Sequence, residues 1–290
     1  MDERTRELIQ TRVLKRIKDV PSLPQFVIET LKKLDDPSTS ASDVAASLAK
    51  DEGLVMRVLK LANSAFYGLP RKVSSITEAV ALLGFKAIRG ILLAASVYPF
   101  VRGNFAGYAL DRGELWRHSL GVAYISRYLA QRMNNGDPEE SYVGGMLHDV
   151  GKIVLNEYVR FGYSLIAKLT EEEHVPFMEA ERTILGFDHA EVGGLVIAQW
   201  NLPEAYACAA RFHHEPEALP HDEAEHRSIV DRVHLANVIC LMLGFGLGVD
   251  GLQYPVAPGV LERMGIKDLE PVMSEAVEIL TALDEEIKLE

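Results

Sequence analysis

Residues 144–152 read Gly144-Gly145-Met146-Leu147-His148-Asp149-Val150-Gly151-Lys152. An imidazole and a carboxylate stand side by side there, flanked by glycines, within an otherwise apolar helical run. Adjacent residues on a helix do not face each other, so a His-Asp pair aimed at one object marks a place where a helix ends. Gly151 is positioned to end it.

On the N-terminal side of this stretch the apolar residues recur at helical spacing. Leu8, Val13, Leu14 and Ile17 predict a helix over about 3–18, and Val27, Ile28, Leu31 and Leu34 a second over 25–34. Ser40 with Asp43, Asp51, and Ser75 with Glu78 supply the starts of three more. Gly84 stops one helix, and the nearly apolar run 85–97, closed by Pro99, predicts another that is buried on most sides. The stretch Asn63-Ser64-Ala65-Phe66-Tyr67-Gly68 is turn-prone and carries two aromatics; it reads as a buried capped turn or as a recognition surface.

The C-terminal side is helical too. His118, Val122, Ile125 and Leu129 share one stripe, with Glu114 a turn earlier on the same face. A helix from Pro138 runs to the His148-Asp149 pair. Asp188 and Glu191 form a capping pattern around His189, and a helix from Pro203 ends at His213-His214. Ile229, Val233, Asn237 and Cys240 share a further stripe. The fold class is all-α. A short segment at 102–107 is the candidate boundary, dividing residues 1–107, 108–245 and a closing loop and helix over 246–290.

Lys and Arg number 30 against 42 Asp and Glu, a net charge of −12, which argues against nucleic acid as a partner. Two cysteines without paired spacing, Cys208 and Cys240, indicate neither a disulfide framework nor a thiolate zinc site. The charged N-terminus is unlike a secretory signal, and the run 238–249 is short for a membrane span. A cytoplasmic location and no membrane partner are therefore expected.

A lone histidine on an apolar face is usually a hydrogen-bonded core residue. Here His118, His148, Asp149, His189, His213 and His214 all fall on inward stripes or at helix ends, where side chains from separate helices can converge. His174, His221 and His226 lie in charged or proline-rich loops and read as solvent-facing, and His234 is open. Imidazoles and carboxylates without thiolates suit Fe, Mn, Zn or Ni, with Fe or Mn placed first, as one or two ions. Such a site supports hydrolysis of a phosphate ester. Lys152 is either a group that stabilises transferred charge or a surface lysine at a helix start.

His118 together with His-Asp-Val-Gly-Lys (148–152) resembles the HD superfamily of metal-dependent phosphohydrolases. The wider pattern is similar to the HDOD family, relatives of the HD and HD-GYP hydrolases regarded as non-catalytic bacterial signalling output modules. It includes Leu23-Pro24, Ala62 to Gly68, Glu78-Ala79-Val80, Leu83-Gly84, Trp116-Arg117-His118-Ser119, Gly186 to Gly193 and Trp200-Asn201-Leu202-Pro203, over roughly 20–240. The resemblance implies an N-terminal helical subdomain packed on an HD-like helical core. It implies metal ligands at Glu114, His118, His148, Asp149, His189, His213 and His214, with Asp149 and Lys152 catalytic only if the site is active. It further implies a signalling protein partner and allows a nucleotide ligand. Two positions depart from the hydrolases: Asn237 stands where a late-helix aspartate is usual, the alternative Asp231 lying six residues earlier and expected to point elsewhere on the helix, and no Gly-Tyr-Pro follows His214.

Overall fold

The structure is a computed structural model that describes residues 3–134, 136–246, 248 and 254–288. It is helical, with no strand among the described residues. The chain divides into two compact units, one of residues 22–99 with 278–290 and the other of residues 1–21 with 100–277. The first helix, grouped by its sequence position with residues 1–107, thus belongs with the larger unit. The division falls at 99/100, just before the expected segment.

In the smaller unit, α2 (Gln25–Leu34), α3 (Ala41–Leu48), α4 (Glu52–Ala62) and α5 (Ile76–Val101) follow in order. Ser40 and Asp43 close a reciprocal capping box, and Asp51 accepts from the Leu54 amide. Both bonds satisfy amides that a helix start leaves unpaired. Gly84, at φ 81°, interrupts α5 as expected, but the helix runs two residues beyond Pro99 before ending. α5 is long and apolar enough to cross a membrane, and 61% of its most apolar window is buried within the protein. The Asn63–Gly68 stretch is a 3-10 turn closed by Gly68 at φ 58°; Asn63 pairs with both backbone groups of Val73. Ser64 is buried there, whereas Phe66 and Tyr67 are half-buried.

The larger unit holds α1 (Glu3–Lys18), α6 (Glu114–Met133), α7 (Pro138–Leu147), α8 (Lys152–Ala167), α9 (Phe177–Leu185), α10 (His189–Gln199), α11 (Glu204–Phe212) and α12 (Arg227–Met242). It also holds the short α13 (Val260–Arg263) and the first half of α14 (Glu270–Lys288). α6 packs along α7 and α12, α11 lies against α7, α10 and α12, and α1 packs on α8, α9 and α10. Val122, Ile125 and Leu129 are fully buried, as the stripe containing His118 requires. Each such side chain contributes about 1.5–3 kcal/mol of apolar burial.

Glycine sets how closely these helices approach. A methyl group on Gly145 would lie 2.8 Å from the backbone of Ala123, so α6 and α7 touch main chain to main chain. On Gly151 it would lie 2.0 Å from the His189 carbonyl, which brings the start of α8 against the start of α10. Gly151 therefore does a different job from the one its position suggested. α7 ends at Leu147, and Gly151 has an ordinary right-handed φ of −63° at the head of α8.

Candidate metal centre

Five helix ends and two helix faces place the polar residues. His118 comes from the first turns of α6, His148 and Asp149 from the end of α7, Lys152 from the start of α8 and His189 from the start of α10. His213 and His214 follow the end of α11, Glu181 lies on α9 and Asn237 on α12. All nine are buried, His214 being the most exposed at 9%.

Four of the histidines are anchored through Nδ1. His148 Nδ1 donates to Gly145 O and His213 Nδ1 to Ala210 O, each at 2.7 Å. A helix leaves its last carbonyls without partners, so a histidine just past the end bonds back to the carbonyl three residues earlier. His118 Nδ1 donates to Phe245 O at 2.9 Å, and His189 Nδ1 to the buried Glu181 carboxylate at 2.6 Å. Fixing Nδ1 as the protonated nitrogen leaves Nε2 as the lone-pair nitrogen, the arrangement that metal-binding histidines use.

All four Nε2 atoms face the Asp149 carboxylate. Those of His118 and His148 lie 3.7 and 3.5 Å from Oδ2, and those of His189 and His213 lie 3.5 and 3.8 Å from Oδ1. An ion with tetrahedral bonds of about 2.0–2.1 Å separates its ligand atoms by roughly 3.3–3.4 Å, close to these spacings. His214 Nε2 adds a third imidazole beside His189 Nε2, 3.0 Å away, and its ring stacks on Tyr254 with centroids 3.9 Å apart.

The electrostatics favour a cation. Burial pushes His148 down to about 4, and it lowers His213 and His214 well below the usual imidazole value, with neighbouring imidazoles adding to the effect. These rings are neutral and able to ligate at ordinary pH. Burial resists the charged form of Asp149, but Lys152 and the surrounding imidazoles outweigh it and hold the carboxyl well below its usual range. For His189 burial is outweighed by the Glu181 carboxylate, and the pKa rises. His148 Nε2, His213 Nε2, His214 Nδ1 and Asp149 Oδ1 are buried without a hydrogen bond, while Asp149 Oδ2 meets the Lys152 ammonium at 2.8 Å. Buried polar atoms are rarely left so, and a cation among them would satisfy several at once. The residues therefore fit a divalent ion, with His189, His213 and His214 as one ligand group and His118, His148 and Asp149 as another.

Residues 20–216 match the family model of the HDOD domain. The chain belongs to the HDOD family. It is similar to an HDOD domain protein of unknown function from Geobacter sulfurreducens, with 31% identity, TM-score 0.76 and 98% and 99% of the two chains covered. A Shewanella amazonensis SB2B protein named provisionally as a phosphohydrolase shares the fold at 22% identity and TM-score 0.74, with 96% and 98% covered. An uncharacterized protein of Treponema pallidum (strain Nichols) is 30% identical over 229 residues, 77% of this chain. This chain spans only 42% of that relative's length.

The structure brings together His118, His148, Asp149, Lys152, His189, His213 and His214 from the sequence-derived set. Glu114 is not in the cluster. It opens α6, where negative charge is favoured at a helix start, and its partly exposed carboxylate faces Arg117 at 3.5 Å. Lys152 is no surface lysine: it is 3% exposed, and its Nζ lies 2.8 Å from Asp149 Oδ2. Asn237 does occupy the late-helix position, with Oδ1 3.0 Å from His118 Nε2. Asp231 points elsewhere, holding Arg263 through two bonds of 2.7 and 2.8 Å. His234 is a positioning residue, donating from Nδ1 to His213 O and accepting at Nε2 from the Ala257 amide. His226, read as solvent-facing, is half-buried beside Glu225.

Glu181 is the residue that sequence reasoning missed. It is completely buried, accepts from Tyr108 Oη, and bonds both the ring and the backbone amide of His189. The signal was present: on α9 Glu181 falls four residues after Phe177 and three before Ile184, a carboxylate on an otherwise apolar stripe.

Proposed function

We propose that this HDOD protein is a metal-binding signalling module that acts through a protein partner, without turnover, in a bacterial cytoplasm. The observation that carries this is the burial of the centre together with its internal neutralisation. Every ligand candidate is at most 9% exposed, Lys152 already faces Asp149, and the neutral Asn237 stands against His118. A catalytic metal site keeps a position open to substrate, whereas a structural site is closed. A bound Fe, Mn, Zn or Ni ion would cross-link helices from four parts of the larger unit. The ion would also supply Lewis acidity where it bound. The bacterial relatives and the two buried free cysteines support the setting, and the net charge of −12 supports a partner other than nucleic acid.

A second function, hydrolysis of a phosphate ester in a nucleotide or second messenger, is favoured by the retained set of anchored imidazoles around Asp149. The two separate in one experiment. Metal-loaded protein is assayed against nucleotides and cyclic dinucleotides, beside the His148→Ala variant. The signalling function expects no turnover above that variant, together with a melting temperature that falls when chelator is added. Robust turnover that disappears in His148→Ala would establish the hydrolase instead.

A further inference from the structure

Helix α8 starts in the candidate metal centre and carries an apolar face in solvent towards its other end. Lys152, Val154, Leu155, Val159 and Ile166 are buried, whereas Phe161 is 80% exposed and Leu165 48%. Single apolar residues scattered over a surface are ordinary; two large ones at i, i+4 on one helix make a contiguous anchor. The polar residues around them follow a definite order. Glu157, Phe161, Ser164 and Lys168, spaced by 4, 3 and 4 positions, lie along one line of the helix, and all four are exposed. Lys168 follows the last residue of α8 with helical backbone, φ −58° and ψ −47°, so the line continues to it. Leu165 flanks this line on the side towards Phe161, and Arg160 flanks it on the side towards Ser164.

That order is self-complementary about a twofold axis. Glu157 and Lys168 stand equally far from the peptide between residues 162 and 163, roughly 16–17 Å from each other at 1.5 Å per residue. An antiparallel copy of α8 laid across that midpoint sets Glu157 of each chain against Lys168 of the other. The same rotation sets Phe161 beside Leu165 of the second copy, and Arg160 beside its Ser164, which is small enough to leave room. The apolar anchors of both chains then meet in one cluster, with opposite charges closing both ends. Isologous contacts require this property, a patch that matches itself after rotation. A parallel copy would instead set Glu157 against Glu157. Within one chain Glu157 meets Arg160 at 2.8 Å, but both side chains are more than half exposed, so that pair competes weakly. A negatively charged lipid surface would be served by cations along the whole line, and Glu157 opposes it.

We infer that the outer face of α8 is a homodimer surface, in which Phe161 and Leu165 of two chains pack together and Glu157 of each chain pairs with Lys168 of the other. No residue of this face belongs to the metal centre.

Sedimentation equilibrium of the 290-residue chain tests this. One helix face is at the small end of specific interfaces, so a dissociation constant of roughly 1–100 μM is expected. Phe161→Glu is expected to weaken association at least about a hundredfold, since each dimer uses that residue twice. Glu157→Lys and Lys168→Glu are each expected to weaken self-association about fivefold or more, because like charges then face each other. Mixed together, these two variants are expected to pair with one another at close to wild-type affinity, since every charge again meets its opposite. Circular dichroism checks helix content, and Phe161→Ser replaces Phe161→Glu if the latter does not fold. A chain that stays monomeric to about 1 mM overturns the inference. So does a dimer indifferent to Phe161→Glu, or a mixture of the two charge variants that associates no better than either alone. Vesicles of phosphatidylserine and phosphatidylcholine are tested beside it: a monomeric wild type that binds them, and a Phe161→Glu variant that does not, would assign the face to lipid and overturn the second copy. Each of these failures leaves the metal-binding function standing.

Discussion

Among the described residues, two places in the larger unit gather metal-ligating side chains within 4.8 Å of one another, and they differ in what those side chains do with their lone pairs. Around Asp149, four imidazoles are pinned by Nδ1, and four buried ligand-type atoms lack a hydrogen bond. Around Cys208, Glu204 and Glu223 the groups satisfy each other. Burial, then the neighbouring Glu223, pushes the Cys208 thiol up, so it stays protonated and donates to Glu223 at 3.0 Å. Glu204 is exposed and lies 3.6 Å from Arg211. Proximity is common to both; only the first has lone pairs anchored, directed and left over.

One large expected effect breaks the first place and spares the second. Saturating divalent ion at a hundred times its Kd stabilises by about 2.7 kcal/mol, which for a chain of this size is a melting shift of roughly 5–10 °C. Asp149→Asn removes the charge shared by every ligand and is expected to abolish that shift, read by scanning calorimetry with and without chelator. A shift that survives in Asp149→Asn would move the site away from this carboxylate.

Acid sharpens the contrast. The unfolded chain protonates His148 at the ordinary value near 6.5, whereas the folded chain holds it neutral down to about 4. The stability that neutral His148 contributes to the metal-free protein is therefore full above about pH 6.5 and falls as pH drops towards 4, whereas His189, shifted upwards beside Glu181, contributes with the opposite sign. His148 alone accounts for about 3 kcal/mol, and His213 and His214 act in the same direction. Cys208, shifted upwards, contributes stability that is lost only as pH rises above the ordinary thiol value. Urea melts in chelator between pH 4 and 8 check this; a flat profile would show that the imidazoles are not held neutral.

Next in size is Glu181→Gln, which keeps the shape and hydrogen-bonding reach but removes the charge behind His189. A tenfold to hundredfold loss of metal affinity is expected, as for other carboxylates behind ligating histidines. Unchanged affinity in calorimetry would leave Glu181 a purely structural buried acid.

What could be read from the chain follows the same division between local and distant causes. The helices were legible because their signals are local: Ser40 with Asp43, Asp51, Asp188 with Glu191, and Pro138 all mark starts that the structure shows. His118, His148, Asp149, His189, His213 and His214 were legible because each sits on an inward stripe or at an end. Glu114 satisfied the same helical spacing, yet one turn at a helix start separates buried from solvent-facing positions, and spacing alone does not say which. Gly151 looked like a terminator because its role, the approach of His189 O from 38 residues away, leaves no mark in its own neighbourhood. Glu181 was hidden for a related reason: its purpose is set by Tyr108 and His189, on other elements.

The smallest effect is the most exacting test of the comparison. Cys208 is fully buried beside Leu219, Val230 and Phe212, so its sulfur is part of a small apolar cluster as well as a donor to Glu223. Cys208→Ala removes one buried atom and one weak S–H donor, and about 1 kcal/mol of destabilisation is expected. Metal content should not change at all, because a protonated thiol is a poor ligand and the thiolate is the ligating form. If Cys208→Ala instead lost bound ion as Asp149→Asn does, the second place would also be a site, and mutual hydrogen bonding would no longer distinguish a resting cluster from a metal centre.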